Sequence, residues 1–324
     1  MSQPTPLQAA TRQVGPPNGP SGLTRFKAAA FGLAARTIYN PAWGLSAVRA
    51  LLSVSNAYPR PLMRLLNPGL AHEVVEGAVH GEWFALPDHR PGCTMLYLHG
   101  GGYIMGAPDQ WRAMALTMAR ASRCRVFLPR YRLAPEHPHP AAVEDGVAAF
   151  RWLLDQGERV VLAGDSAGGA LALQVLFAAR DQGLPAPAGV VAHSPFADKT
   201  LGADSIHRNA ATDRVLWPAY IRWVRDTCVC GQDPTDPGIS PLFQDYTASP
   251  PLLITVGSHE CLQDDGAAVA ERALAAGVDV QLLVGHGAQH VFPILLPGSG
   301  AAVEALAAVG AFCDRVCAET TPPE

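Results

Sequence analysis

Arg159-Val160-Val161-Leu162-Ala163-Gly164-Asp165-Ser166-Ala167-Gly168-Gly169 is the stretch that decides the fold. It begins with a short apolar run typical of a strand, and the apolar residues 170–176 after it predict a buried helix. A strand, a tight glycine turn around a serine, and a helix are the context of a nucleophile elbow. We therefore expect Ser166 at a strained corner, with its hydroxyl beyond the carboxyl edge of a sheet. The alternative for this motif alone is an ordinary strand-to-helix turn that Ser166 caps.

Length and composition limit the class of protein. A chain of 324 residues suits one large α/β domain with some additional helices. The net charge of −4 and the lack of a basic stripe argue against nucleic acid as a partner. No run of ~18 apolar residues predicts a membrane span, and the first residues lack the charged and apolar regions of a signal peptide. We expect a cytoplasmic protein.

The seven cysteines are scattered and odd in number. Neither Cys228-x-Cys230 nor Cys313-x-x-x-Cys317 has the paired spacing of a zinc site. We therefore expect buried thiols in a reducing compartment and no metal.

The order of patterns along the chain predicts its organisation. Residues 1–22 are polar and rich in Pro and Gly, so a poorly ordered tail is expected. Residues 23–70 have helical spacing, which indicates either packing helices or a lid over a site. Strands then alternate with helices through residues 71–324, which implies βαβ units and a mostly parallel sheet. An irregular insertion at about 195–240 carries an aromatic helix that suits a pocket wall.

Three strand ends carry the residue types of nucleophilic catalysis. A serine hydroxyl needs a base to take its proton, and the base needs an acid to orient it. Ser166, Glu260 and His290 each follow a predicted strand, in the order nucleophile, acid, histidine. That order is the one found in α/β-hydrolases.

A run of three glycines, Gly100-Gly101-Gly102, follows another predicted strand and His99. Acyl transfer develops an oxyanion, which backbone N–H donors stabilise. Glycines let the backbone approach the substrate without side chains in the way. The expected donors are therefore the N–H groups of Gly101, Gly102 and Ala167, the residue after the nucleophile.

Five motifs together resemble the hormone-sensitive lipase family of bacterial esterases, also called bacterial family IV, from about residue 70 to the C-terminus. They are His99-Gly-Gly-Gly102, Tyr131-Arg-Leu-Ala-Pro-Glu-His-Pro138, Gly164-Asp-Ser-Ala-Gly-Gly169, Asp236-Pro-x-x-Ser-Pro-Leu242 and His290-Val-Phe292.

This resemblance implies an α/β-hydrolase fold with a mostly parallel eight-stranded sheet flanked by helices. It also implies ester hydrolysis without a cofactor and a helical cap built from the N-terminal segment and the insertion. In the family the last strand and helix are common dimer surfaces, so a homodimer is one expected assembly. His99 and Asp165 are expected to brace the oxyanion loop and the elbow rather than to carry protons.

The acid position departs from the family pattern. The family usually has Asp-Pro-Leu-x-Asp, whereas this chain has Glu260-Cys261-Leu262-Gln263-Asp264. A longer carboxylate can still orient a histidine. Asp264 and Asp265 compete for the role, although both stand where a helix begins and N-capping is their alternative. His286, four residues before His290, is the less favoured base.

We therefore expect a serine carboxylesterase that acts on small, short-acyl esters. A lactonase, amidase or acyltransferase with the same triad is the alternative, because a triad does not encode the leaving group. A non-catalytic ligand receptor of the same fold is disfavoured because all three positions are filled. Four aromatic residues are expected either near the substrate pocket or in the core: Tyr103, Trp217, Tyr220 and Phe292.

Overall fold

A nine-stranded sheet with helices packed against it forms the body of the computed structural model, which describes residues 5–318. In chain order, the strands are β1 Thr11–Val14, β2 Ala71–Val75, β3 Gly81–Ala85, β4 Cys93–Leu98, β5 Arg125–Pro129, β6 Arg159–Asp165, β7 Gly189–His193, β8 Leu252–Gly257 and β9 Val280–Gly285. The helices are α1 Pro6–Ala10, α2 Gly22–Ile38, α3 Leu45–Ser55, α4 Arg60–Leu66, α5 Pro108–Ser122, α6 Ala141–Asp155, α7 Ala167–Asp181, α8 Ser205–Arg208, α9 Pro218–Val229, α10 Gln263–Ala275, α11 Phe292–Leu295 and α12 Gly300–Ala318. Short 3₁₀ turns lie at Pro41–Trp43 and Pro241–Phe243.

The strand order is β1-β9-β8-β7-β6-β4-β5-β3-β2. All neighbours pair parallel except β2 with β3 and β3 with β5. Every residue of β4, β7 and β8 is buried, as expected for parallel strands covered on both faces. This is the α/β-hydrolase architecture predicted from the sequence.

The register of the central strands gathers their carboxyl ends at one edge. Leu98 of β4 pairs with Gly164 of β6, and Gly257 of β8 pairs with Gly285 of β9. The loops that follow these strands therefore meet at the same edge of the sheet, where ligand sites of open α/β sheets lie.

Residues 6–14 correct two expectations, the eight-stranded sheet and the poorly ordered tail. Helix α1, capped by the Thr5 side chain, leads into β1, which pairs parallel with β9 from Thr11–Leu282 to Val14–Gly285. Val14 is fully buried. A polar segment gains order here because it completes the backbone hydrogen bonds of an existing sheet edge, which its composition does not reveal. Residues 1–4 lie outside the described part of the chain.

Strand β1 also changes the surface expected for a dimer. The last strand, β9, is not an edge, because β1 covers its outer side. A second copy that extends the sheet on this side would have to pair with β1.

No helix within residues 5–318 is long and apolar enough to cross a membrane.

The helices between residues 22 and 66 are held by few buried side chains. Helix α2 buries only Ala28, Gly32 and Ala35, α3 buries Val48 and Leu52, and α4 buries Met63. Few buried apolar contacts mean low local stability. Polar anchors to the body of the protein therefore matter for the position of these helices.

Candidate active site

Ser166 stands at the corner between β6 and α7. Its φ of 55° is in the left-handed region, and its N–H donates to the carbonyl oxygen of His193 at 2.8 Å. A Cβ at Gly164 would lie 2.3 Å from the Gly168 carbonyl oxygen, and one at Gly168 would lie 2.0 Å from that of Leu98. Only glycine fits at these two positions, so the flanking glycines make the sharp turn that leaves Ser166 half-buried at the mouth of a cavity.

His290 and Glu260 approach each other behind that cavity. His290 follows β9, Glu260 follows β8, and His290 Nδ1 lies 3.7 Å from Glu260 Oε2. Both side chains are buried. The Ser194 hydroxyl donates to Glu260 Oε2 at 2.8 Å and accepts from the Val291 N–H at 2.9 Å, so it links the two loops. At 3.7 Å the pair is an ion-pair contact, and such contacts tighten in catalytic complexes.

The two groups shift each other's protonation. Burial by itself would lower the pKa of His290, but the carboxylates of Glu260 and, less strongly, Asp213 and Asp165 outweigh burial and raise that pKa above its ordinary value. Burial raises the pKa of Glu260, and His290 and Ser194 oppose this shift. A proton on His290 is therefore stabilised next to a buried carboxylate, as a general base requires.

The competing carboxylates have other partners. Asp264 pairs with the Arg208 guanidinium at 2.6 Å and accepts from the Ser205 N–H at 2.9 Å. Asp265 accepts from the N–H groups of residues 197 and 198, each at 2.9 Å. Neither carboxylate lines the cavity, and His286 is exposed at a different cleft. The structure brings Glu260, and neither aspartate, to His290.

Gly101 and Gly102 line the same cavity as Ser166. Their φ angles are 106° and 66°, and a Cβ at Gly102 would lie 2.5 Å from Val224 Cγ1. Their N–H groups have no acceptor among residues 5–318. Ala167 is the first residue of α7, where N–H groups have no partner within the helix. Three candidate donors thus lie around the Ser166 corner.

Asp165 ties the elbow to the glycine loop. Its fully buried carboxylate accepts from Tyr97 Oη at 2.7 Å, from Gly100 N–H at 3.1 Å and from Trp111 Nε1 at 3.2 Å. Burial raises its pKa to about 6, although these hydrogen bonds pull it down. With all these contacts Asp165 positions the loop.

His99 also contacts the glycine loop. Its Nδ1 lies 2.7 Å from the Gly100 carbonyl oxygen and, because a carbonyl only accepts, carries the proton. The ring stacks on Tyr131 with centroids 4.1 Å apart. Burial lowers the pKa of His99 to about 4, so the ring is neutral at pH 7.

The cavity in front of Ser166 has a volume of about 400 Å³. Helix α2 and the segment after α3 form one wall, and the insertion before and within α9 forms another. Its apolar lining includes Phe31, Tyr39, Tyr58, Met114, Leu216, Tyr220, Ile221 and Val224.

The four aromatic residues expected near the pocket or in the core have different surroundings in the structure. Tyr220 lines the cavity and Trp217 packs behind it, with ring centroids 4.8 Å apart. Tyr103 donates to Gln174 at 2.8 Å, and Phe292 is core under Gly285. Of these four aromatic residues, Tyr220 is thus the one that lines the cavity in front of Ser166.

Sequence reasoning missed the residues that hold the acid loop. Ser194 directly follows β7, so its position at a strand end was the signal that could have found it. Asp213 accepts from the Cys261 N–H at 2.7 Å and the Val215 N–H at 2.8 Å, and Asn209 donates to the Glu260 carbonyl at 2.8 Å. Asp213 and Asn209 lie in the insertion, about 50 residues before Glu260. No local sequence pattern there identifies them as partners of the acid loop.

Comparison with known proteins agrees with this architecture. The family model described as alpha/beta hydrolase fold, Abhydrolase_3, matches residues 95–294. An acetyl-hydrolase of Streptomyces hygroscopicus is 44% identical over 210 residues, which cover 64% of this chain and 70% of that protein. An esterase of Acinetobacter venetianus is 32% identical over 222 residues, covering 67% and 73%.

Solved structures give the same result. The crystal structure of EstE5 soaked with ethyl alcohol is 40% identical with a TM-score of 0.79, covering 85% of this chain and 92% of that one. An esterase from the bacterial hormone-sensitive lipase family is 36% identical with a TM-score of 0.80, covering 89% and 97%. This chain therefore belongs to the alpha/beta hydrolase fold family, among the esterases of the bacterial hormone-sensitive lipase family.

Proposed function

We propose that this chain is a serine carboxylesterase in which Ser166, His290 and Glu260 act as nucleophile, base and acid. The observation that carries the proposal is their arrangement. One cavity presents Ser166, His290 and the free N–H groups of the glycine loop, and Glu260 lies directly behind His290.

In the proposed reaction Ser166 Oγ attacks the ester carbonyl while His290 takes its proton. The buried Glu260 carboxylate holds the ring in orientation and stabilises the imidazolium that forms. His290 then gives this proton to the leaving alkoxide, and the acyl-enzyme remains. Water, deprotonated by His290, attacks the acyl-enzyme, and His290 returns the proton to Ser166 Oγ as the carboxylic acid leaves.

The oxyanion of both tetrahedral steps is proposed to accept from the N–H groups of Gly101, Gly102 and Ala167. These donors are held in place before the substrate arrives, because Asp165 and His99 fix the loop. Each such donor stabilises the transition state by roughly 3 kcal/mol.

The proposed substrates are small esters with short acyl chains. The cavity, at about 400 Å³, is near the lower end of the size range of small-molecule sites, roughly 300–1,000 Å³. Its walls are mostly apolar side chains, which suit an uncharged ester. The relative named an acetyl-hydrolase supports a short acyl group.

The ester is the only partner in this proposal, without a cofactor or nucleic acid. A cytoplasmic location and a homodimer stay predictions from the sequence. The pairing of β1 on β9 directs any such dimer to α12 or to the outer edge of β1.

A series of chromogenic esters tests the activity and the acyl preference together. The acetyl or butyryl ester is expected to give the highest kcat/KM, and the octanoyl ester a value at least about tenfold lower. A lactone and an amide of matched size serve as controls for the leaving group. Faster turnover of the amide would favour an amidase. No turnover and no labelling by a serine-reactive phosphonate would favour a receptor.

Arg49→Ala is expected to lower kcat/KM about ten- to a hundredfold, because it releases α3 from the active-site loops. The Arg49 guanidinium donates to the Ile104 carbonyl at 2.6 Å, to the Ala134 carbonyl at 2.8 Å and to Glu136 at 2.7 Å. The matched control is Arg64→Ala on the exposed face of α4, which should stay within twofold of wild type. Equal kinetics of the two variants would show that this anchor does not position the cavity wall.

A further inference from the structure

The exposed apolar side chains of this protein are concentrated on its N-terminal helices. Within residues 5–318 ten large hydrophobic side chains are exposed, by 42% to 79%. Nine of them belong to one segment: Leu23, Phe26, Leu33, Trp43, Leu51, Val54, Leu62, Leu65 and Leu66. The tenth, Val303, lies on α12. Single exposed apolar residues are normal, but a concentration of them marks an interaction surface. We call these nine side chains the cap surface.

On helix α2 the cap surface lies opposite the face that the helix buries. At about 100° of rotation per residue, Leu23, Phe26 and Leu33 lie within about 80° of one another around the helix axis. The residues that α2 buries lie on the other side of the axis: Ala28, Gly32 and Ala35. The apolar strip of α2 therefore faces away from the body of the protein and has no intramolecular partner to cover it.

The segment that carries the cap surface is also basic. Residues 22–66 contain six of the chain's 24 Lys and Arg residues and none of its 28 Asp and Glu residues. The whole chain, in contrast, has a net charge of −4. An excess of positive charge in one segment of an acidic protein indicates a negatively charged partner. The partner that complements the cap surface is therefore both apolar and anionic.

Two of these cations stand on the cap helices without an ion pair. Lys27 on α2 and Arg64 on α4 are exposed. Within the described part of the chain neither forms an ion pair, whereas Arg49 and Arg60 pair with carboxylates of the body of the protein. Long basic side chains lay their apolar stems along apolar surface while their charged ends reach a polar layer. Lys27 and Arg64 can therefore contact anionic groups while the neighbouring apolar side chains are buried.

We propose that the cap surface docks on the surface of an anionic lipid bilayer. Its apolar side chains would enter the boundary between headgroups and acyl chains, and Lys27 and Arg64 would contact lipid phosphates. Helices that lie in a membrane interface combine Trp, Phe and Leu with Lys and Arg in this way, and basic residues near such a surface are attracted to anionic lipids. The nine side chains are spread over three short helices and a turn. A fluid bilayer adapts to such separate protrusions, whereas a protein partner needs a complementary shape.

The position of the cap surface relates docking to the active-site cavity. Phe31 of α2, Tyr39 directly after it and residues 55–58 after α3 line the cavity in front of Ser166. The helices that expose the cap surface thus also form a wall of that cavity. Docking would bring the cavity close to apolar esters dissolved in the bilayer. This last step rests on the proposed esterase function, whereas lipid binding itself does not.

Co-sedimentation of the full-length chain with lipid vesicles tests the proposal. Binding to vesicles of phosphatidylcholine with about one third phosphatidylglycerol is expected to be at least about tenfold stronger than to phosphatidylcholine alone. A rise in salt from about 0.1 M to 1 M should remove most of this difference. Ser166→Ala should bind like wild type, which separates lipid binding from the proposed activity. Absence of wild-type binding to the anionic vesicles, or equal binding to both kinds of vesicle, would overturn the proposal.

A double variant, Phe26→Ser with Leu33→Ser, tests the apolar part of the surface. It is expected to weaken binding to the anionic vesicles at least about tenfold, because two inserted side chains are lost. The matched control is Val303→Ser, which removes the exposed apolar side chain of α12 and should bind like wild type. Circular dichroism and unchanged turnover of a water-soluble ester verify the fold of each variant. A wild-type dimer that binds no vesicles and that the double variant dissociates would assign the cap surface to a second copy of the chain.

A second double variant, Lys27→Gln with Arg64→Gln, tests the charged part. It is expected to weaken binding to the anionic vesicles about tenfold and to leave binding to phosphatidylcholine unchanged. Arg151→Gln, at an exposed position of α6, is the matched control for the loss of a positive charge elsewhere. An equal loss of binding in the double variant and in Arg151→Gln would show a general effect of net charge and overturn docking through the cap surface.

Discussion

Ser166→Ala is expected to lower kcat for short-chain esters by about 10⁶-fold, the loss found when the serine of a hydrolase triad is removed. The substitution deletes only the hydroxyl oxygen, and the Ser166 N–H bond to His193 is a backbone contact that stays. The glycine loop and the cavity walls also remain, so the oxyanion donors still bind substrate. Measurement of kcat and KM by chromogenic assay should therefore show the loss in kcat with little change in KM.

Ser53→Ala is the matched control for this prediction. Ser53 lies on exposed α3, where its hydroxyl donates to the Ala50 carbonyl, and its loss should leave kcat within twofold of wild type. Mass spectrometry after treatment with a serine-reactive phosphonate should show one adduct on wild type and on Ser53→Ala, and none on Ser166→Ala. A labelled Ser166→Ala variant, or one with more than a few per cent of wild-type turnover, would assign the nucleophile elsewhere.

The sequence was enough to predict the α/β-hydrolase fold because its strongest signals are local. The run 159–169 combines a strand, a glycine-flanked serine and a helix, and the steric limits at Gly164 and Gly168 leave one backbone path. Parallel strands then bring their carboxyl ends together. Residues that follow different strands, such as Ser166, Glu260 and His290, therefore come together although they lie far apart in the sequence.

Features made by contacts between distant segments could not be predicted in this way. Strand β1 forms because β9 offers an unpaired edge, and its own residues have no strand pattern. The expectation of buried thiols is wrong at Cys93 and Cys317, which form a disulfide across 224 residues of sequence, and at Cys230, which is exposed. Ser194 contacts Glu260 only because β7 and β8 are neighbours in the sheet. Each of these features depends on contacts in the tertiary structure, which hydrophobic periodicity along the sequence does not report.

Glu260→Gln is expected to lower kcat by about 10³- to 10⁴-fold, as does neutralising the acid of a known triad. Glutamine has nearly the same shape and can still accept from the Ser194 hydroxyl, so the loop between β8 and α10 should stay in place. What is lost is the negative charge that stabilises the imidazolium of His290. The matched control is Asp264→Asn, which breaks a half-exposed ion pair with Arg208 and should change kcat less than about threefold.

The pH dependence of kcat/KM separates a role in catalysis from a role in folding alone. His290 must be neutral to accept the Ser166 proton, so activity rises as pH increases through the pKa of His290. In wild type Glu260 raises that pKa against the opposing effect of burial. In Glu260→Gln the main raising effect is lost, and only the weaker effects of Asp213 and Asp165 still oppose burial, so the acidic limb of the profile should move to lower pH. The opposite outcome has two parts. The acidic limb of Glu260→Gln would stay at the wild-type pH and its kcat would fall only mildly, whereas Asp264→Asn or Asp265→Asn would lose most activity. The acid role would then belong to that aspartate.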